Sequence, residues 1–296
     1  MFPSRFRYEA PHSLDEAIGL LHEGGDDAKV LAGGQSLVPM MKLRFASPEL
    51  IVDINNVPGL AYHRAEPDGS LHIGALCRHA DLEFSGLLKG TQPTMAAAAP
   101  LVADPLVRNR GTLVGSLCHA DPQGDWASVM LALGAAVIAQ GPKGKRVIPL
   151  SGFVTGPFEN ALEHDEIVVE AVVPSAKGTR SGGYLKLERR VGDFATVGTA
   201  VAIETSGDTV IRAGIALTGV GGSTIGATEA AAALTGKRLT QESIAEAAEL
   251  AASAAQPRTD HRGTAEYKRN LVRVFVGRIL GSTPAQGAGA SVERAA

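Results

Sequence analysis

The sequence predicts an α+β protein built in two parts, and three features predict it. Short apolar strands alternate with amphipathic helices up to about residue 172. A polar, glycine-rich stretch containing SAKGTRSGG, within residues 174–183, then interrupts the pattern. Beyond it strands come first and helices follow, the order of a small α+β domain.

Each element has a local reason. Ser13 and Glu16 stand in the capping-box spacing, Leu14, Ala17, Ile18 and Leu21 share one helical face, and Gly24-Gly25 stops that helix. Residues 29–32 form a short apolar strand running into Gly33-Gly34, and residues 50–54 and 71–74 read as two more strands. Helices are expected over 79–88, 94–102 and 124–133, and strands over 135–139 and 166–172. Past the polar stretch, which reads as a turn or linker, strands are expected at 184–188, 195–204 and 209–217. Ser206-Gly207-Asp208 joins the last two as an antiparallel hairpin. Helices at 226–234, 241–254 and 264–280 complete the pattern, and the Ala- and Gly-rich tail from Ser282 has little to bury and reads as disordered.

Composition excludes several classes. With 28 basic against 31 acidic residues the net charge is −3, without the basic excess of a nucleic-acid binder. No apolar run reaches the ~18 residues of a membrane helix, and MFPSRFRYEAP does not read as a secretion signal. Cys77 and Cys118 are too few for a disulfide framework or a four-cysteine metal site, and two unpaired thiols fit a reducing compartment. No H-E-x-x-H pair or G-x-S-x-G elbow is present. His119, Asp121 and Asp125 imitate a metal cluster but suggest no fourth ligand nearby, so no metal is expected. Met40-Met41 reads as core packing rather than a sulfur ligand pair.

Two glycine-rich constellations carry the chemistry. In Ala32-Gly33-Gly34-Gln35-Ser36-Leu37 a strand feeds two glycines, and successive backbone N–H groups in such a turn can point at one anion. Without Cβ atoms the backbone can approach a diphosphate closely, and Ser36 adds a hydroxyl. Taken alone, the same residues describe a tight turn. In the second, RGTLVGSLCHADPQGD, Gly111 and Gly115 bracket Thr112, Ser116 follows, and Asp125 can accept from the diol of a ribose. An ordinary capped helix entry fits these residues as well. Farther on, YLKLERR alternates so that Lys186 shares a strand face with Glu188, either as a solvated edge charge or reaching an anionic cofactor.

Taken together, AGGQSLVPMMKLR, VADPLVRNRGTLVGSLCHADPQGD and YLKLERRVGDFATVG resemble the FAD-binding medium subunits of the molybdenum hydroxylases, the xanthine dehydrogenase and aerobic carbon monoxide dehydrogenase group. The resemblance spans residues 2–280, and the segment DHRGTAEYKRNL is similar to the carbon monoxide dehydrogenase branch. It implies an α+β chain with a two-part FAD-binding domain of the vanillyl-alcohol-oxidase (PCMH) type over residues 1–176, a small α+β domain over 177–281, and the tail 282–296. Ala32 to Leu37 match the first diphosphate loop. Gly111, Thr112, Gly115 and Ser116 match the second, with Ser116 where asparagine is common. Leu101 and Val102 match the apolar segment against the flavin, Asp125 the ribose carboxylate, Ile167 a backbone contact to the isoalloxazine edge, and Lys186 the lysine near its polar side. Phe194 stands where tyrosine can lie beside the ring, and the cysteine-rich insertion of the benzoyl-CoA reductase branch is missing. The resemblance further implies a large subunit with a molybdenum–pterin cofactor and a small one with two [2Fe-2S] clusters, paired as a dimer of heterotrimers. Electrons would pass through FAD to a quinone or other acceptor, in the cytoplasm, with docking on the inner membrane face left open. Carbon monoxide oxidation leads. An N-heterocycle or aldehyde hydroxylase, a stand-alone flavin oxidase and a non-enzymatic assembly module are the alternatives.

Overall fold

The computed structural model describes residues 2–283, so the tail beyond Thr283 lies outside the described residues. The chain opens with β1 (Arg7–Glu9), α1 (Leu14–Gly24), β2 (Ala28–Leu31), α2 (Leu37–Leu43) and β3 (Leu50–Asp53), whose strands form a parallel sheet of order β1-β3-β2. Ser13 caps α1 by accepting from the Glu16 N–H at 3.1 Å, and Gly25 at φ +54° ends it. The expected capping box is shifted by one residue: the Glu16 carboxylate accepts from the His12 N–H at 2.9 Å, not from that of Ser13.

A second layer follows: β4 (His63–Ala65), β5 (Leu71–Gly74), α3 (His79–Glu83), α4 (Gly86–Thr91), α5 (Pro93–Ala98), α6 (Pro105–Arg108), α7 (Leu113–His119), α8 (Asp125–Ala132), β6 (Ala136–Gly141), β7 (Gly144–Pro149), α9 (Leu150–Phe153), β8 (Val154–Gly156), β9 (Glu159–Asn160) and β10 (Ile167–Val173). Its five-stranded sheet is antiparallel with order β4-β5-β10-β6-β7, and β10 at its centre is buried along nearly its whole length. The single helix expected over 79–88 is broken, because the Ser85 hydroxyl caps a new start by accepting from the Leu88 N–H.

The C-terminal part holds β11 (Thr179–Leu187), β12 (Val197–Ser206), β13 (Thr209–Thr218), β14 (Ile225–Gly226), α10 (Thr228–Leu234), α11 (Gln241–Ala254) and α12 (Ala265–Gly281). Its antiparallel sheet is covered on both faces. Val197, Val201, Ile203, Ile215 and Leu217 pack with the three helices. Ala200, Ala202 and Ala216, on the opposite face, join the core of the preceding layers. That inner face is paved with small residues, so helices lie directly on it. A Cβ on Gly214 would strike the Ala132 carbonyl group, and one on Gly182 would strike the Val201 carbonyl oxygen and come within 2.8 Å of Thr94 Oγ1. This corrects the reading of residues 174–183 as a turn or linker. Strand β11 begins inside that stretch, and its glycines serve close packing rather than flexibility, Gly182 against Thr94 of α5 and Gly183 against Ile279 of α12. Among the described residues no helix is long and apolar enough to cross a membrane.

Candidate functional site

A cleft of about 750 Å³ runs between the first sheet, α7 and the edge of the C-terminal sheet. That size lies within the ~300–1,000 Å³ usual for cofactor pockets. Of the residues matched to FAD binding, all but Leu101 line it: Ala32, Gly33, Gly34, Gln35, Ser36 and Leu37 on one wall, Gly111, Thr112, Gly115 and Ser116 on another, and Val102, Asp125, Ile167, Lys186 and Phe194 around them.

The two glycine turns touch each other. A Cβ built on Gly33 would overlap the Arg110 carbonyl oxygen and lie 2.7 Å from Gly111 Cα, so only glycine lets the loops meet. Gly34 sits at φ +73°, the left-handed region that releases the chain from β2 into α2. Behind the contact lies a polar clamp. Asn55 Nδ2 donates to the Ala32 carbonyl at 2.8 Å, Arg78 Nη2 donates to Asn55 Oδ1 at 2.6 Å, and Arg78 Nη1 donates to the Arg110 carbonyl. One arginine thus fixes the spacing of both loops. Burial holds its guanidinium below the ordinary arginine value.

Within the turns, side chains brace the backbone. Gln35 donates to the Gly33 carbonyl at 3.2 Å, and the Thr112 hydroxyl caps α7 by accepting from the Gly115 N–H at 3.0 Å. The Ser36 hydroxyl makes no capping bond to α2. Neither loop contains a carboxylate. In the first turn the glycine backbone and the Ser36 hydroxyl suit the phosphates of a dinucleotide. In the second the N–H groups of Gly111, Gly115 and Ser116 already bond the Val107 carbonyl, Thr112 Oγ1 and the Thr112 carbonyl, so what that turn offers a ligand includes the hydroxyls of Thr112 and Ser116. The residues present therefore fit FAD.

At the far end, the Lys186 side chain is 1% exposed; its Nζ donates to the Leu101 carbonyl at 2.9 Å and to Asp125 Oδ2 at 3.0 Å, and lies 3.3 Å from Glu188 Oε2. The Tyr184 hydroxyl donates to Asp125 Oδ1 at 2.6 Å. Burial pushes the Asp125 carboxyl above its ordinary value while Lys186 and Tyr184 pull it back. This settles the strand alternative for Lys186, which is a buried cation in an ion-pair group and no solvated edge charge. Leu101, although off the cleft wall, belongs to the site through its carbonyl.

Phe194 stands half-exposed at the cleft, its carbonyl accepting from Arg262 Nη1 at 2.8 Å, so the DHRG segment reaches the site from the C-terminal domain. Burial pushes the Cys118 thiol up to about 12, which disarms it as a nucleophile. His119 and Asp121 stay 4.0 Å apart while Asp125 turns to Lys186, so these three do not form a ligand set. A different trio, His22, His164 and Asp165, gathers at the rim, where His22 Nδ1 and Asp165 Oδ2 are 2.9 Å apart. Sequence reasoning misses His79, a buried residue whose ring lines the cleft beside Gly111.

Known proteins resemble this chain along most of its length. Residues 4–176 match the family described as FAD binding domain in molybdopterin dehydrogenase, and residues 183–283 match the CO dehydrogenase flavoprotein C-terminal domain. The carbon monoxide dehydrogenase medium chain of Hydrogenophaga pseudoflava is 43% identical over 95% of this chain and 97% of its own length. The 6-hydroxypseudooxynicotine dehydrogenase complex subunit alpha of Paenarthrobacter nicotinovorans is 40% identical, covering 95% of each chain. A solved structure of the Hydrogenophaga pseudoflava carbon monoxide dehydrogenase superposes with a TM-score of 0.91 at 44% identity, over 95% of this chain and 98% of that one. With two family models covering both parts of its cleft, the chain belongs to the FAD-binding, electron-transfer medium subunits of the molybdenum hydroxylases.

Proposed function

We propose that this chain is the flavin subunit of a carbon monoxide-oxidising molybdenum enzyme, assembled with a large molybdenum–pterin subunit and a small subunit holding two [2Fe-2S] clusters. The observation that carries the reading is the nearly end-to-end likeness to a carbon monoxide dehydrogenase medium chain. A dimer of such heterotrimers, in the cytoplasm and free to dock on the inner membrane face, is the expected assembly.

Bound FAD would supply the chemistry, taking electrons one at a time from the clusters and passing them in pairs to a quinone or other acceptor. The chain's own residues bind, orient and tune. The turns at Gly33-Gly34 and Gly111–Ser116 embrace the diphosphate, with Ser36 and Ser116 as hydroxyl donors. Asp125 keeps lone pairs beyond those used by Tyr184 and Lys186, since a carboxylate offers about four acceptor sites, and these take the ribose hydroxyls. Val102, backed by Leu101, presses the flavin, the Ile167 backbone meets its edge, and Phe194 covers it without a hydroxyl to donate. Lys186, with two N–H bonds already directed at protein oxygens, acts on the ring through its charge.

A second reading, an N-heterocycle hydroxylase, is favoured by the nearly equal identity to the 6-hydroxypseudooxynicotine dehydrogenase subunit. Purifying the native complex and measuring molybdenum, iron and flavin tests the assembly, and dye reduction with carbon monoxide against N-heterocycles separates the two readings. Flavin without molybdenum and iron in the intact particle would refute both and leave a stand-alone oxidase.

A further inference from the structure

The ring of His79 is held on three sides. Its backbone N–H donates to the Gly111 carbonyl at 2.9 Å, Trp126 stacks at 6.1 Å between ring centroids, and the ring edge carrying Nε2 faces Gly111, where an added Cβ would lie 2.9 Å from that nitrogen. The residue is 5% exposed, and that exposure borders the cleft.

Its protonation follows from one hydrogen bond. Trp126 Nε1 lies 2.9 Å from His79 Nδ1, and an indole N–H can only donate. Nδ1 must therefore present a lone pair, so the ring is not an imidazolium. A neutral imidazole with a bare Nδ1 carries its proton on Nε2. That N–H finds no hydrogen-bond partner among the described residues. Buried donors are ordinarily satisfied, by protein, water or ligand. Nε2 is not among the fully buried side-chain atoms that lack a partner, so it keeps some exposure, and an acceptor in the cleft at the Gly111 turn can reach it.

We propose that His79 is an FAD-binding residue: its Nε2–H, fixed in that tautomer by Trp126, donates a hydrogen bond to an oxygen of the dinucleotide seated at the Gly111–Ser116 loop. The two loops offer backbone and hydroxyl donors, and His79 adds an uncharged one from behind the second. Because Trp126 dictates which nitrogen carries the proton, the donor is set before the ligand arrives and need not be reorganised on binding. The assignment rests on FAD occupying this cleft.

The flavin content of the wild-type protein is measured first. Wild-type protein that neither holds nor takes up FAD would refute the whole cleft as a flavin site, which distinguishes that failure from one confined to His79. The full chain is then stripped and titrated with FAD, following quenching of flavin fluorescence. His79→Phe, which keeps an aromatic ring against Gly111 but removes the donor, is expected to weaken FAD binding ~10- to 100-fold, the range for a hydrogen bond to a charged group. His79→Gln, which keeps an N–H, is expected to recover part of the loss. Wild-type protein labelled with ¹⁵N-histidine gives a reading independent of mutant folding. The His79 ring should show the Nε2–H tautomer with and without ligand, and its Nε2–H proton should move downfield and exchange more slowly once FAD is bound. An affinity within twofold of wild type in a folded His79→Phe protein, an Nδ1–H tautomer, or an Nε2 resonance indifferent to FAD would each overturn the proposal.

Discussion

Replacing Gly33 by alanine should strip the protein of FAD while leaving its fold largely in place. The added Cβ would overlap the Arg110 carbonyl oxygen and lie 2.7 Å from Gly111 Cα. Carbon atoms in contact normally sit ~3.5–4.0 Å apart, so the shortfall is about 1 Å. Both obstacles are main chain held by the Arg78 clamp, so no side chain can rotate away and the loops must part. Overpacking of this kind costs roughly 1–3 kcal/mol in stability. A shift of about 1 Å carries an N–H from hydrogen-bond distance to beyond reach of a phosphate oxygen. Losing two such charge-assisted bonds at ~1.5–3 kcal/mol each weakens FAD binding by about 10²- to 10⁴-fold. Gly34→Ala is the contrast. Its strain is backbone, at φ +73°, worth roughly 1–2 kcal/mol, and the nearest atoms are the ends of the Leu31 and Val38 side chains at 3.1 and 3.3 Å, which can move. Flavin per chain by absorbance, FAD titration of stripped protein and a circular-dichroism melt would be compared across the pair. A folded Gly33→Ala protein with wild-type affinity, or a greater loss in Gly34→Ala, would refute the loop-contact argument.

Lys186→Met should destabilise the chain by ~3–5 kcal/mol in denaturant titrations, because it strands the buried Asp125 and Glu188 carboxylates. Desolvation pushes Cys77 and Cys118 up to about 12, so both thiols stay protonated at pH 8. The buried Cys77 should resist a thiol reagent until the protein is unfolded, while Cys118, half-buried on the cleft wall, should react only slowly. Their inertness also predicts that flavin released by denaturation is unmodified FAD. Burial, then Arg108 and Arg78, hold His79 down at about 4 against an ordinary 6.5. Between these values the unfolded chain binds a proton that the folded chain refuses, so stability is full above pH 6.5 and is lost as pH falls toward 4. The loss is of the order of 3 kcal/mol, and His79→Phe should flatten that part of the pH–stability curve.

What is legible in the sequence is local, and what it hides is long-range. The Ser13 cap, the hairpin at Gly207 and the strand entering Gly33 each follow from neighbouring residues, and all are present. Strand β1 is invisible because its pattern is exposed and only three residues long, whereas α7 is foreshadowed only as the capped helix entry that fits the second glycine-rich constellation, with Gly115 in its first turn masking its extent. Asp125 and Lys186 each stand out, but their pairing spans 61 positions and nothing in either segment announces the other. His79 escapes notice for the same reason. Its meaning depends on Trp126 and Gly111, at separations of 47 and 32 residues, and a lone histidine at a helix start carries no periodic signal.

The glycines show why residue types alone leave the alternatives open. Gly33 suits either a tight turn or a cradle for phosphate, as though one excluded the other. In the fold it is first a point where two loops touch, and the cradle exists because they touch. Gly182 and Gly214 do the same work between domains, letting α5 and α8 rest on the C-terminal sheet and bringing Lys186, on β11, beside Asp125, at the start of α8. The missing side chains therefore act on binding at one remove. They let separated segments come within reach of each other, and the cleft is what those close approaches leave between them.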